Sequence, residues 1–280
     1  MADWLETYRG IVYRWEVDPN DHLTVAYYFA RIADAGQGLL GALGLAPTAT
    51  RTVDCFVRYQ RELRVGDIMH VESGVIGVED DTLALGHKVF DSGAATLYTT
   101  VEQRVRLATA PSEETQRRIR ERRVAWDGPA RERRPRPRNL AGLRDTGRDL
   151  VEPVEVDLSG GAALAHYIHR FSGANGHAIA AFGMTPAYMR AERRGFSTFE
   201  FQLEVAGPLR PGDVARVRSG VLHVGNSSLR LLHVMSREPG GEVVATLEQS
   251  GVHFDQDARR PVPLPESLRD RAHAMLLRDS

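Results

Sequence analysis

The chain has 280 residues, 42% of them hydrophobic and 26% charged, which is enough to bury one or two cores. A formal net charge of −1 gives no overall field that would draw in nucleic acid or an anionic membrane. Cys55 is the sole cysteine, so no intrachain disulfide forms and a reducing compartment is expected. Almost all the positive charge is arginine, with Lys88 as the only lysine. No charged-then-apolar leader opens the sequence and no apolar run reaches the ~18 residues that span a bilayer, so a soluble, cytoplasmic protein is expected.

Residues 8–17 read as a strand that leads into a polar turn, Asp18-Pro19-Asn20-Asp21-His22. The apolar positions that follow, Val25, Tyr28, Phe29, Ile32, Leu39, Leu40 and Leu43, have the spacing of a helix burying one face. That helix is predicted to end near Gly44, with Pro47 as a stop. The turn therefore sits at a helix N-terminus, where free N–H groups and the positive dipole end can polarise an oxygen. Four strand-like runs come next, at 53–63, 68–78, 83–90 and 96–107, punctuated by Gly66-Asp67, Asp80-Asp81 and Ser92-Gly93. Pro111-Ser112-Glu113-Glu114-Thr115 then predicts a short capped helix.

Arginine and proline dominate 131–138, and a solvated linker over 126–149 is expected there, since no aromatics are interleaved to stack bases. Beyond it the order repeats: a strand to Asp157, a helix over 162–183, strands at 197–205, 214–224, 229–236 and 243–254, and a last amphipathic helix after a proline-rich tail. The repetition is visible residue by residue. At a shift of about 139, Glu16-Val17-Asp18 meets Glu155-Val156-Asp157, Tyr28 meets Tyr167 and Arg31 meets Arg170. At a shift of about 146, Leu63-Arg64-Val65-Gly66-Asp67 meets Leu209-Arg210-Pro211-Gly212-Asp213, His87 meets His233 and Gln103 meets Gln249. The chain is a tandem duplication, with an N-terminal unit over 1–125 and a C-terminal unit over 150–280.

One long helix followed by antiparallel strands, used twice, resembles the double-hotdog fold, an α+β architecture in which each sheet wraps its helix. Asp18, Asn20, His22 and Tyr28 are similar to the polar-turn motif of double-hotdog acyl-ACP thioesterases, and Tyr59-Gln60-Arg61-Glu62 resembles that family's Tyr-Arg-Arg-Glu. Asp18-Pro19-Asn20-Asp21 is also close to the Asp-Pro-x-Gly turn of acyl-CoA thioesterases of the 4-hydroxybenzoyl-CoA type. Asp21 stands where a glycine is common, and Thr24-Val25 where Asn-Asn is usual. The resemblance implies hydrolysis of an acyl-CoA or acyl-ACP thioester, with water as second substrate and neither cofactor nor metal.

Hydrolysis of a thioester needs an activated water and a donor for the developing oxyanion. Glu62 suits a general base or nucleophile, with Asn20 holding water or carbonyl, His22 sharing or orienting the base and Asp18 fixing the turn. The N–H groups of Leu23, Thr24 and Val25 are expected to polarise the carbonyl, and Tyr28 and Tyr59 to line the substrate. Asn20, His22 and Glu62 face Ser159, Gly161 and Pro208 in the second copy, which points to one live site. Asp18 has a twin in Asp157, so capping the turn explains it equally well. His87, His233 and Cys55 read as packing residues.

The second copy carries His166, His169, Asn175 and His177, a cluster loosely similar to the motif of MaoC-type hydratases. An enoyl-CoA hydratase, or a non-catalytic acyl-binding hotdog protein, is therefore the alternative. Partners are expected to be the acyl carrier and, because sheet edges need covering, a second copy of the chain in a homodimer.

Overall fold

The computed structural model describes residues 3–18 and 21–278. They form two compact units, Met1–Arg131 with Val156–His166, and Glu132–Glu155 with Tyr167–Ser280.

The first unit opens with β1, Leu5–Ile11. The predicted strand stops short of Val17 because residues Arg14–Glu16 wind into a single tight turn. The Glu16 carboxylate folds back to accept the Tyr13 N–H at 3.0 Å, which an extended chain would not allow. Helix α1, Val25–Ala42, buries Ala26, Tyr28, Phe29, Ile32, Ala35, Gly36, Leu39 and Leu40, the predicted stripe except that Val25 is only half-buried. It ends before Gly44, whose φ of +78° is the left-handed conformation that closes helices.

Four long strands follow: β2 Thr50–Tyr59, β3 Ile68–Glu79, β4 Thr82–Asp91 and β5 Thr96–Leu107. They pair antiparallel in the order β1-β3-β4-β5-β2. Leu39, Leu40 and Leu43 from the helix pack with Val75, Leu83, Leu85, Val105 and Leu107 from the sheet. Helix α2, Glu113–Glu121, begins as predicted at Ser112, whose hydroxyl accepts the Thr115 N–H at 3.2 Å.

The second copy of the repeat follows this plan with β6 Arg144–Leu150, helix α3 Leu164–Ala181, β7 Arg194–Val205, β8 Val214–Val224, β9 Ser228–Glu238 and β10 Glu242–Asp255. The strand order is β6-β8-β9-β10-β7. A short helix α4, Pro186–Ala191, and the two-residue strand β11, Arg260–Pro261, are additions that periodicity could not register at such lengths. Helix α5, Glu266–His273, closes the chain. Each unit is a long helix against an antiparallel sheet, and the whole is a tandem hotdog of the α+β class.

The duplication extends to individual hydrogen bonds. Val12 N–H reaches Asp67 O at 2.9 Å, and Val151 N–H reaches Asp213 O at 2.9 Å. The Asp67 and Asp213 carboxylates accept the N–H of Arg64 and Arg210, both at 2.8 Å. Arg31 pairs with Glu16 as Arg170 pairs with Glu155. The tails match too: residues after α2 bridge Val75 to Arg123, and residues after α5 bridge Val221 to Leu276, both parallel.

His87 and His233 do more than pack. In the first unit one polar side chain from each successive strand joins a transverse chain: Thr7 to Ser73 at 2.7 Å, Ser73 to His87 at 2.7 Å, His87 to Gln103 at 3.0 Å and Gln103 to Thr52 at 2.7 Å. In the second unit Thr146, Ser219 and His233 are joined at 2.6 Å per link, and Gln249 reaches Thr198 at 2.7 Å. His87 and His233, and Gln103 and Gln249, are the sequence matches, and the links run unbroken across the first sheet and as two separate stretches across the second.

The arginine-rich segment is not simply solvated. Arg131 pairs with Asp54 at 2.9 Å within the first unit. Within the second, Arg136 pairs with Glu248 at 2.5 Å and Glu204 at 2.8 Å, while Arg134 lies 3.7 Å from Glu200. Glu200 and Glu248 are buried, and a buried carboxylate needs a charged partner, which the segment provides.

Candidate active site

The polar turn and the segment after β2 meet in the first unit. Asp18 N–H donates to His22 O at 2.8 Å, and the Asp18 carboxylate accepts the His22 N–H at 3.1 Å. This clasp closes the turn, so Asp18 acts on its own backbone, as Asp157 does where it accepts the Ser159 N–H at 2.8 Å. Asp21, in the place where glycine is common, has φ +63°. The position demands a left-handed residue, and aspartate is among the few non-glycine types that tolerate it. Asp21 also pairs with Arg14 at 2.9 Å. Pro19 and Asn20 lie outside the described residues.

The clasp aims the His22 ring at Glu62. Their side chains meet at 3.1 Å, Nε2 to Oε2, with the imidazole buried and the carboxylate 31% exposed. A backbone bridge between His22 and Arg64 and the Leu23 N–H bonded to Leu63 O at 2.7 Å hold the two segments side by side. Glu62 therefore has one oxygen anchored by a ring and a route to solvent.

Tyr28 is buried beneath this pair, and its hydroxyl accepts the Leu63 N–H at 3.2 Å. Tyr167 does the same for Leu209 at 2.7 Å. Burial pushes the Tyr28 phenol pKa above its ordinary value, which keeps it neutral. Its ring meets Tyr59 edge to face at 5.2 Å. Tyr28 thus serves as a clamp on the residue after Glu62, in both copies, a role the repeat match could have signalled. Cys55 is fully buried and burial raises its thiol pKa, in keeping with a small core residue.

The predicted oxyanion donors divide. The N–H of Leu23 goes to Leu63 O and that of Thr24 to Glu16 O at 2.8 Å, so both of these donors are already engaged. The first bonds of α1 run from the Tyr27 and Tyr28 N–H to Thr24 O, at 2.9 and 3.4 Å. The N–H groups of Val25 and Ala26 precede them, with no acceptor inside the helix.

In the second unit, His177 is exposed on α3 and borders a cleft of about 530 Å3 with Asp145, Arg148, Arg216 and Glu238. Arg216 pairs with Asp145 at 2.5 Å and Arg148 with Glu238, so the charges there neutralise one another. The Asn175 amide oxygen is buried and has no hydrogen-bond partner among the described residues.

Among the described residues, no helix is long and apolar enough to cross a membrane. The sequence matches the family model of the thioesterase-like superfamily over residues 12–117 and 151–272. No curated protein sequence matches it. Among solved structures, it is similar to a candidate oleoyl thioesterase from Lactobacillus plantarum (TM-score 0.71, 12% identity, 95% of this chain and 98% of that one). It is also similar to a 12:0-ACP thioesterase from Umbellularia californica (TM-score 0.66, 14% identity, 88% and 93%) and an acyl-ACP thioesterase from Bacteroides thetaiotaomicron (TM-score 0.64, 12% identity, 87% and 96%). These likenesses carry the fold. With both copies matched by the family model, the chain belongs to the thioesterase-like superfamily, and acyl thioester hydrolysis is the activity that membership carries.

Proposed function

We propose that the first unit hydrolyses an acyl-CoA or acyl-ACP thioester with Glu62 as general base. The contact between His22 and Glu62 carries this reading, because it ties a partly exposed carboxylate to the turn at the start of α1. The His22 Nε2–H donates to Glu62 and orients its carboxylate to accept a proton from water. Water attacks the carbonyl carbon, its proton passes to Glu62, and the carbonyl oxygen becomes an oxyanion facing the Val25 and Ala26 N–H groups at the positive end of the helix. The tetrahedral intermediate collapses with cleavage of the C–S bond. The thiolate takes the proton back from Glu62, and free acid and thiol leave. Asn20, two residues before His22 in the sequence, would hold the water or the carbonyl. The single copy of His22 and Glu62, set against Gly161 and Pro208, supports one working site per chain.

Thiol release from acyl-CoA and acyl-ACP panels tests this. Glu62→Gln is expected to lower kcat by about 10²–10⁴-fold, the range for loss of a general base. An unchanged kcat would move the chemistry elsewhere, and Asn175→Ala in the same assay, together with enoyl-CoA hydration, would show whether it lies in the second copy.

A further inference from the structure

We infer that the stacked pair Tyr13 and Trp15, with Arg61 and Arg64, forms a recognition site for the nucleotide of coenzyme A. The inference rests on the thioester reading of the adjacent turn and names its carrier.

Trp15 is 71% exposed and Tyr13 45%, an unusual outlay of aromatic surface. Their rings stack at 4.5 Å with 6° between planes, so Tyr13 covers one face of the indole and braces it. Stacking against an aromatic face is sequence-tolerant and suits any flat base. The pair is also bolted to the site. Glu16, next to Trp15, accepts the Thr24 N–H at the start of α1, and its carboxylate holds both the Tyr13 N–H and Arg31. Arg14, between the two rings, reaches Asp21, the neighbour of His22.

Positive charge lies on the other segment of the site. Arg61 and Arg64 flank Glu62 in sequence, both are exposed, and neither side chain forms an ion pair among the described residues. Free guanidinium groups recognise phosphate by paired N–H donors. Exposed Val65 adds apolar surface beside them.

The aromatic pair follows the chemistry rather than the fold. At the positions of Tyr13 and Trp15 the second copy has Glu152 and Val154, and Gly207 replaces Arg61 while Arg64 keeps its match in Arg210, in the copy that also lacks His22 and Glu62. The framework around these positions is retained: Glu155 accepts the Glu152 N–H at 3.0 Å as Glu16 accepts that of Tyr13. An aromatic pair needed for folding would persist in both copies. A purine with phosphates matches a flat face beside free arginines, whereas a carrier protein's arm brings one phosphate and no base.

The test compares KM and kcat for an acyl-CoA and for the same acyl group on pantetheine, in wild type, Trp15→Ala, Trp15→Phe and Arg64→Ala. Tryptophan fluorescence titrated with adenosine 3′,5′-bisphosphate supplies a readout independent of turnover. Trp15→Ala is expected to raise KM for acyl-CoA about tenfold, the loss of one stacked base, with kcat and the acyl-pantetheine constants unchanged. Trp15→Phe is expected to restore most of the loss, Arg64→Ala to raise KM for acyl-CoA alone, and the nucleotide to quench fluorescence saturably in wild type but not in Trp15→Ala. Equal KM for acyl-CoA in wild type and Trp15→Ala, or an equal rise for acyl-pantetheine, overturns the inference. Hydrolysis of neither thioester by wild type would defeat the thioesterase reading, and the titration would still decide the nucleotide site: saturable quenching lost in Trp15→Ala upholds it, and no quenching ends it.

Discussion

At the scale of single residues, the site depends on a few backbone placements more than on any one reactive group. Tyr28→Phe removes the acceptor of the Leu63 N–H, a buried donor, and is expected to destabilise by about 1–3 kcal/mol. Because Leu63 adjoins Glu62, kcat should fall as well, while Tyr167→Phe should lower stability alone; denaturant titration beside thiol release separates the two. Asp21 gives a second test. With φ +63°, Asp21→Gly should leave stability unchanged or raise it, whereas Asp21→Ala should lower it by about 1 kcal/mol, since an alanine bears the left-handed conformation with no side-chain compensation. Thermal unfolding of the two variants checks the order. The motif residues His22 and Glu62 were legible in the sequence as candidates. Which N–H groups remain for an oxyanion was not, because the backbone partners of Leu23 and Thr24 come from Leu63 and Glu16, across the turn.

At the scale of elements, hydrophobic periodicity placed the long helices and strands, and shorter features escaped it. The early end of β1 came from a carboxylate reaching back three residues, which no apolar pattern encodes. The arginine-rich segment has the composition of a linker, yet Arg136 meets Glu204 and Glu248. Composition reports what a segment can solvate, and only tertiary structure supplies the buried carboxylates that draw it in. Arg136→Ala leaves Glu248 buried and short of its closest cation, so a loss of about 3 kcal/mol is expected, measured by urea unfolding.

At the scale of the whole molecule, the two transverse ribbons make stability depend on pH. Burial lowers the pKa of His87 to about 4, against the opposing effect of its bond to Gln103, and that of His233 likewise to about 4. An unfolded histidine titrates near 6.5, so between about 6.5 and 4 the unfolded chain binds more protons. The stabilisation is complete above pH ~6.5 and is lost as pH falls toward 4. At pH 5 each histidine is expected to cost about 2 kcal/mol relative to pH 7. Urea unfolding at both pH values measures it, and His87→Gln should lower stability at pH 7 yet flatten the dependence.

By itself the sequence determined the duplication, the helix-and-sheet plan of each copy and the turn where chemistry was to be sought, because periodicity and repetition are properties of the chain. The same shifts paired Ser73 with Ser219 and His87 with His233 without revealing that the ribbons exist, since hydrogen bonds between strands 14 residues apart appear only when the sheet forms. Tertiary structure alone decided that Tyr28 holds Leu63 and that the His22 ring meets Glu62 forty residues on. Local pattern fixes which groups lie on a face; which of them meet depends on the register of the strands and the packing of the helix against them.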